Sequence, residues 1–274
     1  MKFAVILPAA GASSRYAAGG GLRHKLDEDL GGKPVLQRTV ELFTKFEPRE
    51  GSIGAIIVAG PAGETDFAAF RERHGDRLGL LGATLVRGGV THRWETVKAA
   101  LAAVPADCTH IAVHDAARPC TSNELLERVF AAAVRHPAVI PAVDVPDTVK
   151  IVRDTGERDT VNDPAAAILG LSTEGPAIRE VTSTVPRAGM VLVQTPQVFE
   201  RGLLTQAYAQ ADLASTDDAG LVERLATSGK VRARVVVVEG EARNVKITLP
   251  GDLLLARHIM GFGGPAERAA HKRF

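Results

Sequence analysis

Phe3-Ala-Val-Ile-Leu-Pro-Ala-Ala-Gly-Ala-Ser-Ser-Arg15 opens the chain with an apolar strand that runs straight into small residues, a glycine and an arginine. A strand without polar alternation is buried on both faces, as in parallel sheets covered by helices. The small residues after it let backbone N–H groups approach a ligand closely. A second cation, Lys25, follows Arg15, and two nearby cations point to a ligand that carries phosphates. An ordinary tight strand–helix turn accounts for Gly11 as well, because neither the GxxxxGK(S/T) nor the GxGxxG pattern is present.

Outward from that strand, further short apolar runs follow at Ile53–Ala59, Ala83–Val86, Ile111–Val113 and Val139–Val143. Amphipathic stretches alternate with them: Pro34–Phe46, Phe67–His74, Glu95–Val104 and Glu124–His136, the last behind a capping box at Thr121-Ser-Asn-Glu124. This order predicts a doubly wound α/β domain with a mostly parallel twisted sheet, whose ligands bind at the strand carboxyl ends. The segment 145–190 breaks the pattern. It is rich in Pro, Asp, Thr and Gly, and reads as two extended arms, Thr148–Val152 and Val181–Val185, around a loose centre, Asp154–Glu180. Helices are expected again at Arg201–Ala214 and Asp217–Ser228, the second capped by Ser215 or Thr216. Strands are expected at Val231–Val238 and Val245–Thr248, and a helix from Pro250 to about Met260. The tail, 261–274, reads as flexible.

The 274 residues are 45% hydrophobic with a net charge of +1, enough for one domain spanning 1–274 with a substantial core. Balanced charge and 4% aromatics argue against nucleic-acid and membrane partners. Two cysteines in no framework spacing, and no run long enough to span a bilayer, give a cytoplasmic protein as the expectation.

Four further constellations carry chemistry. His114-Asp115-Ala-Ala-Arg118-Pro119 ends a buried strand, where an ionised Asp needs a partner. Asp115 holding Mg²⁺ beside a triphosphate and Arg118 gripping a phosphate is one reading; a structural Asp–Arg pair closing a turn is the other. His114 reads as a packing histidine. Arg243-Asn-Val-Lys246-Ile-Thr248 sets a lysine among β-branched residues, facing either an anion or water at an edge. Gly88-Gly-Val-Thr-His-Arg93-Trp-Glu-Thr96-Val97 joins strand to helix and suits recognition of a base or phosphate, or is a capped helix start. Trp94 could stack on a base or pack at the surface. Asp27-Glu-Asp29 is formally the DxD of metal-dependent glycosyltransferases, but reads better as a solvated acidic turn.

Taken in order, these segments resemble the 2-C-methyl-D-erythritol 4-phosphate cytidylyltransferase family. Pro8-Ala-Ala-Gly11…Arg15 resembles its PAAGxGxR opening, Lys25…Lys33-Pro-Val-Leu36 its lysine segment leading into GKPVL, and Gly88-Gly89…Arg93…Thr96-Val97 its base loop. Val113-His-Asp-Ala-Ala-Arg-Pro-Cys120, Asp147-Thr-Val-Lys150, Thr184-Val-Pro-Arg187, Gln194-Thr-Pro-Gln-Val-Phe199, Thr216-Asp-Asp-Ala219 and Asn244-Val-Lys-Ile-Thr248 complete the series. Ser13 stands where the family has its second glycine, His24-Lys25-Leu26 where it has Pro-Lys-Gln, and Thr96 where serine is usual.

The resemblance implies a Rossmann-like nucleotidyltransferase that joins CTP to a sugar-alcohol phosphate, uses Mg²⁺ and releases pyrophosphate. It also implies a homodimer through the 145–190 arm. By carry-over, Arg15, Lys25 and Lys246 are catalytic cations. Ala9, Ala10, Gly11, Ala12, Gly88, Gly89, Thr96 and Asp115 would bind nucleotide, with Asp115 also on the metal. Arg118, Thr148 and Arg187 would hold the acceptor. A ribitol-phosphate or other polyol-phosphate cytidylyltransferase is the neighbouring expectation, and a catalytically silent nucleotide-binding homologue is the expectation from another class.

Overall fold

The structure, a computed structural model, describes residues 1–160 and 174–263. The chain divides into two compact units: residues 1–143 with the chain from 193 onward, and Asp144–Leu192. The first half of the larger unit runs β1 (Lys2–Pro8), α1 (Ser14–Ala18), α2 (Val35–Lys45), β2 (Ser52–Gly60), α3 (Glu64–Leu80), β3 (Ala83–Arg87), α4 (Arg93–Leu101), β4 (His110–Val113), α5 (Asn123–Ala133) and β5 (Ala138–Asp144). The smaller unit carries β6 (Val149–Thr160) and β7 (Glu174–Val185). After β8 (Val191–Val193) follow β9 (Gln197–Glu200), α6 (Arg201–Tyr208), α7 (Asp218–Thr227), β10 (Val236–Glu239) and α8 (Pro250–Ile259).

Seven strands lie side by side in the order β10-β5-β9-β4-β1-β2-β3. β1 is parallel to both β2 and β4, β2 to β3, and β10 to β5, whereas β9 runs antiparallel between β4 and β5. Successive strand side chains point to opposite faces, and β1 therefore feeds two cores. Phe3, Val5 and Leu7 join Leu36, Val40 and Phe43 of α2 and Leu125, Val129 and Phe130 of α5 on one side. Ala4 and Ile6 join Val97 of α4, Leu203 and Leu204 of α6 and Leu221 and Val222 of α7 on the other. This double burial is why β1 shows no alternation, and it bears out the Rossmann-like α/β reading.

Local expectations need correction where long-range partners decide. α6 stops at Tyr208 rather than Ala214. α7 is capped by Asp217, whose side chain accepts the Gly220 N–H, and not by Ser215 or Thr216. Ser122 caps α5 by accepting the Leu125 N–H; Thr121 instead donates to Asn244 Oδ1 at 2.9 Å. α3 is longer than Phe67–His74, running from Glu64 to Leu80. The last strand is only Val236–Glu239. Val245–Thr248 forms no strand: it is tied to the body by Ile247 N–H donating to the Ala117 carbonyl at 2.9 Å.

Within the smaller unit β6 and β7 form an antiparallel hairpin, with Val149 opposite Val185 and Lys150 opposite Thr184. Pairing continues through Asp154–Arg179 and Arg158–Ala177 to Thr160–Glu174, so the outer parts of the expected loose centre are strand. Arg153 and Glu180 form an ion pair at 2.8 Å across the hairpin. The middle of that centre, 161–173, and the expected flexible tail from 264 on lie outside the described residues.

Candidate active site

From β1 the chain builds β2 and β3 to one side, then crosses over to place β4 on the other side of β1. A crevice opens outside the strand carboxyl ends where the winding reverses. A cavity of about 270 Å³ lies there. The turn after β1 supplies Ala9, Ala10, Gly11 and Ala12, the loop before α4 supplies Gly89, the first turn of α4 supplies Thr96, and the residues just past β4 supply Asp115. Lys25 and Lys246 complete it from two distant segments.

Each group is held by a specific partner. The turn starts with Ala9 N–H on the Ala59 carbonyl at 2.7 Å, next to β2. It ends at Ser13, whose φ of 56° is left-handed, the one such non-glycine among the described residues. Lys25 Nζ donates to the Ile247 carbonyl at 3.1 Å, which ties both lysine segments together. Thr96 Oγ1 accepts the Gly89 N–H at 3.1 Å and so shapes the loop. Gly88 is outside the cavity lining, but a Cβ there would sit 2.6 Å from the Gly60 carbonyl, so the loop requires glycine.

Asp115 is the centre of charge. Lys246 Nζ lies 2.9 Å from Oδ2, Arg118 Nε 3.2 Å from Oδ2, and Arg93 Nε 3.6 Å from Oδ1. Burial alone would raise its pKa, but Lys246, Arg93 and Arg118 more than offset this and hold the carboxyl well below the ordinary range. Lys25 shifts the other way for a lysine: burial, then Lys246 and Arg15, lower its pKa, with Asp115 opposing. The free cavity therefore holds more positive charge than one carboxylate can balance, a good receptor for a polyanion.

Behind this cluster stands a pair that local sequence patterns do not expose. Arg93 Nη1 donates to Asp218 Oδ2 at 2.7 Å, and the Tyr208 hydroxyl donates to Asp218 Oδ1. Asp218 is fully buried at the start of α7. Two adjacent acids, Asp217 and Asp218, open that helix; only the fold separates the cap from the counter-ion of Arg93.

Other candidates fall elsewhere. Arg15 is exposed on α1 and does not line the cavity. Arg118 sits behind Asp115 and donates to the Asn244 carbonyl at 2.6 Å. Thr148 and Arg187 belong to the smaller unit, where both are exposed and Arg187 donates to the Pro146 carbonyl. His114 is fully buried and packs edge-on to Phe43 at 5.1 Å, as a packing histidine does. Trp94 stacks on His92 at 5.8 Å. Asp27 is engaged within the protein by His74 Nε2 at 2.7 Å and Arg73 Nε at 3.3 Å. Among the described residues no group of three His, Cys, Asp or Glu is arranged to hold a metal ion.

Comparison with known proteins gives a consistent result. A family model for 2-C-methyl-D-erythritol 4-phosphate cytidylyltransferase matches residues 3–261. A protein of that name from Frankia casuarinae is 39% identical over 269 residues, covering 98% of this chain and 85% of the relative. Another from Solibacter usitatus is 36% identical, covering 93% and 94%. Among solved structures, the enzyme of that name from Thermus thermophilus superposes with a TM-score of 0.64 at 32% identity, covering 94% of this chain and 98% of its own. A 4-diphosphocytidyl-2C-methyl-D-erythritol synthase superposes with a TM-score of 0.68 at 27% identity, covering 94% and 98%.

Proposed function

The chain belongs to the 2-C-methyl-D-erythritol 4-phosphate cytidylyltransferase family, and we propose that it transfers a cytidylyl group from CTP to 2-C-methyl-D-erythritol 4-phosphate and releases pyrophosphate. The observation that carries this reading within the molecule is the convergence of Lys25, Lys246 and Arg93 around Asp115, beside the turn after β1.

A phosphate oxygen of the acceptor attacks the α-phosphorus of CTP; the bond from that phosphorus to the β-phosphate bridging oxygen breaks, and pyrophosphate leaves with the electron pair. Every participant is anionic, so the protein contributes positioning and charge. The turn after β1 offers the triphosphate the backbone N–H groups that follow Ala9, Lys25 neutralises the leaving pyrophosphate with Arg15 adding charge from outside the cavity lining, and Lys246 stabilises charge on the α-phosphate and the attacking oxygen. Gly89 and Thr96 face the base, and Gly88 lets their loop pack against the Gly60 carbonyl. No covalent enzyme intermediate is required.

A divalent ion fits the donor chemistry. Among the described residues Asp115 is the one carboxylate lining the cavity, and Mg²⁺ is commonly bound by one or two carboxylates together with phosphate oxygens. Asp115 would hold it, and it would supply charge neutralisation on the triphosphate. Acceptor binding by Arg118, with Thr148 and Arg187 of a second protomer, belongs to the same proposal. It is supported by half-exposed apolar side chains on the 144–192 unit, Ile151, Val181 and Leu192, which suit a homodimer contact. Two free, buried cysteines, Cys108 and Cys120, support a reducing, cytoplasmic setting. No helix among the described residues is long and apolar enough to cross a membrane.

The test is pyrophosphate release with CTP, Mg²⁺ and a panel of acceptors. Turnover with 2-C-methyl-D-erythritol 4-phosphate is expected. Turnover with ribitol phosphate alone would reassign the acceptor, and none with any acceptor would indicate a silent homologue.

A further inference from the structure

We propose that His24 is a positioning residue for the nucleotide: its imidazole holds the turn after β1 in its binding shape and ties that turn to the segment carrying Lys25. The inference rests on the nucleotide reading above.

Both ring nitrogens are used. Nε2 lies 2.7 Å from the Gly11 carbonyl oxygen, and the Leu26 N–H donates to Nδ1 at 3.3 Å. An acceptor on one side and a donor on the other select the Nε2–H tautomer, which donates to Gly11. Gly11 and Lys25 both line the cavity, while His24 itself does not. The ring therefore acts on the cavity through its neighbours.

The turn needs such a hold. Ser13 keeps a left-handed φ of 56°, and its Oγ is buried without a hydrogen-bond partner among the described residues. A non-glycine residue in that conformation persists only where its surroundings impose it. After α1, which is anchored by the buried Tyr16, the three glycines Gly19 to Gly21 and the exposed Leu22 and Arg23 lead to His24, so that anchor passes little rigidity to the Lys25 segment. His24 bypasses this stretch with one direct bond. In a trans peptide the C=O and the next N–H point in opposite directions. A Gly11 carbonyl drawn to His24 thus turns the Ala12 N–H away from the ring, and Ala12 lines the cavity.

The test uses the full-length protein with Mg²⁺, comparing wild type, His24→Ala and His24→Gln by calorimetric CTP titration, KM for each substrate and thermal melting. His24→Ala is expected to weaken CTP binding and raise its KM about tenfold, the scale of one well-placed hydrogen bond. The acceptor KM should stay within about twofold, with an unchanged melting temperature. His24→Gln, which keeps a side-chain N–H donor, should recover most of the CTP affinity. Unchanged CTP affinity in His24→Ala would overturn the proposal. So would equal losses for both substrates with a lowered melting temperature that glutamine does not rescue. If wild type binds CTP without turning over any acceptor, the transfer reading fails while the titration still decides the role of His24; if wild type binds no CTP, both fail.

Discussion

Lys246 Nζ lies 2.9 Å from Asp115 Oδ2, so in the free protein the proposed α-phosphate lysine is a counter-ion of a buried carboxylate. An incoming triphosphate must compete with Asp115 for that charge. Asp115 does not depend on Lys246 alone, because Arg118 and Arg93 remain beside it. Lys246 itself is 37% exposed, so water screens its side of the pair, while the two arginines keep the buried carboxylate compensated. Lys246→Ala is therefore expected to lower kcat by about 100-fold or more, as loss of a transition-state charge does, while the melting temperature changes by no more than about 2 °C. Steady-state kinetics and a thermal melt read both. A large drop in melting temperature with modest loss of kcat would make the lysine a structural counter-ion instead.

Lys25 gives a prediction in pH. Burial, with Lys246 and Arg15 nearby, lowers its pKa, which disfavours the charged form in the free protein. A bound triphosphate favours that charged form. Below the lowered pKa, Lys25 is protonated with or without CTP and the affinity is flat. Above it, binding must take up a proton, so affinity falls as pH rises, up to tenfold per pH unit for one proton. Calorimetry in two buffers of different ionisation heat measures the uptake. Lys25→Ala should abolish both turnover and the uptake; uptake that survives the substitution belongs to another group.

The parts of this fold that could be read locally are those whose burial leaves a continuous mark. β1 is covered on both faces, so its apolar run and the turn after it were visible, as were β2, β4 and α2. β9 is only Gln197–Glu200 and runs antiparallel to its neighbours, a placement no local pattern announces. Val245–Thr248 has the composition of a strand, yet Ile247 is secured by the Ala117 carbonyl and by burial. The hairpin residues from Asp154 onward are polar because they pair with each other rather than with a core, and so read as loop. For the site, Asp115 announced itself as a charge at the end of an apolar run, Lys246 as a lysine set among β-branched residues, and Lys25 as a second cation following Arg15. His24 and Asp218 did not, since each matters through a partner remote in sequence.

Asp218 is the sharpest case. It is fully buried and accepts from both Arg93 and Tyr208. Removing one partner of a buried pair costs about 3–5 kcal/mol, because the other charge is left uncompensated. Asp218→Asn should destabilise the protein on that scale in urea unfolding. Arg93→Gln combined with it should cost clearly less than the sum of the two single changes. Strict additivity would mean that the two side chains do not act as a pair.

His114 makes stability depend on pH above the range where carboxylates titrate. Its ring is fully buried, lies 3.1 Å from the Arg118 carbonyl through Nε2 and faces Thr195 Oγ1 at 3.2 Å through Nδ1. Burial pushes its pKa down to about 4, against an ordinary value of 6.5, despite opposition from Asp115. As pH falls below 6.5 the unfolded chain takes up a proton that the native ring refuses until about pH 4. Stability is therefore lost across that window, by about 3 kcal/mol at 1.36 kcal/mol per pKa unit. His110, also lowered by burial, acts with the same sign. The depressed pKa of Asp115 adds a loss only further into acid, below the ordinary carboxylate value of 3.8. Urea unfolding at intervals from pH 7.5 to 4.5 should show the decline, and His114→Asn should flatten it by up to one proton's worth of slope. An identical slope in that variant would assign the proton to another residue.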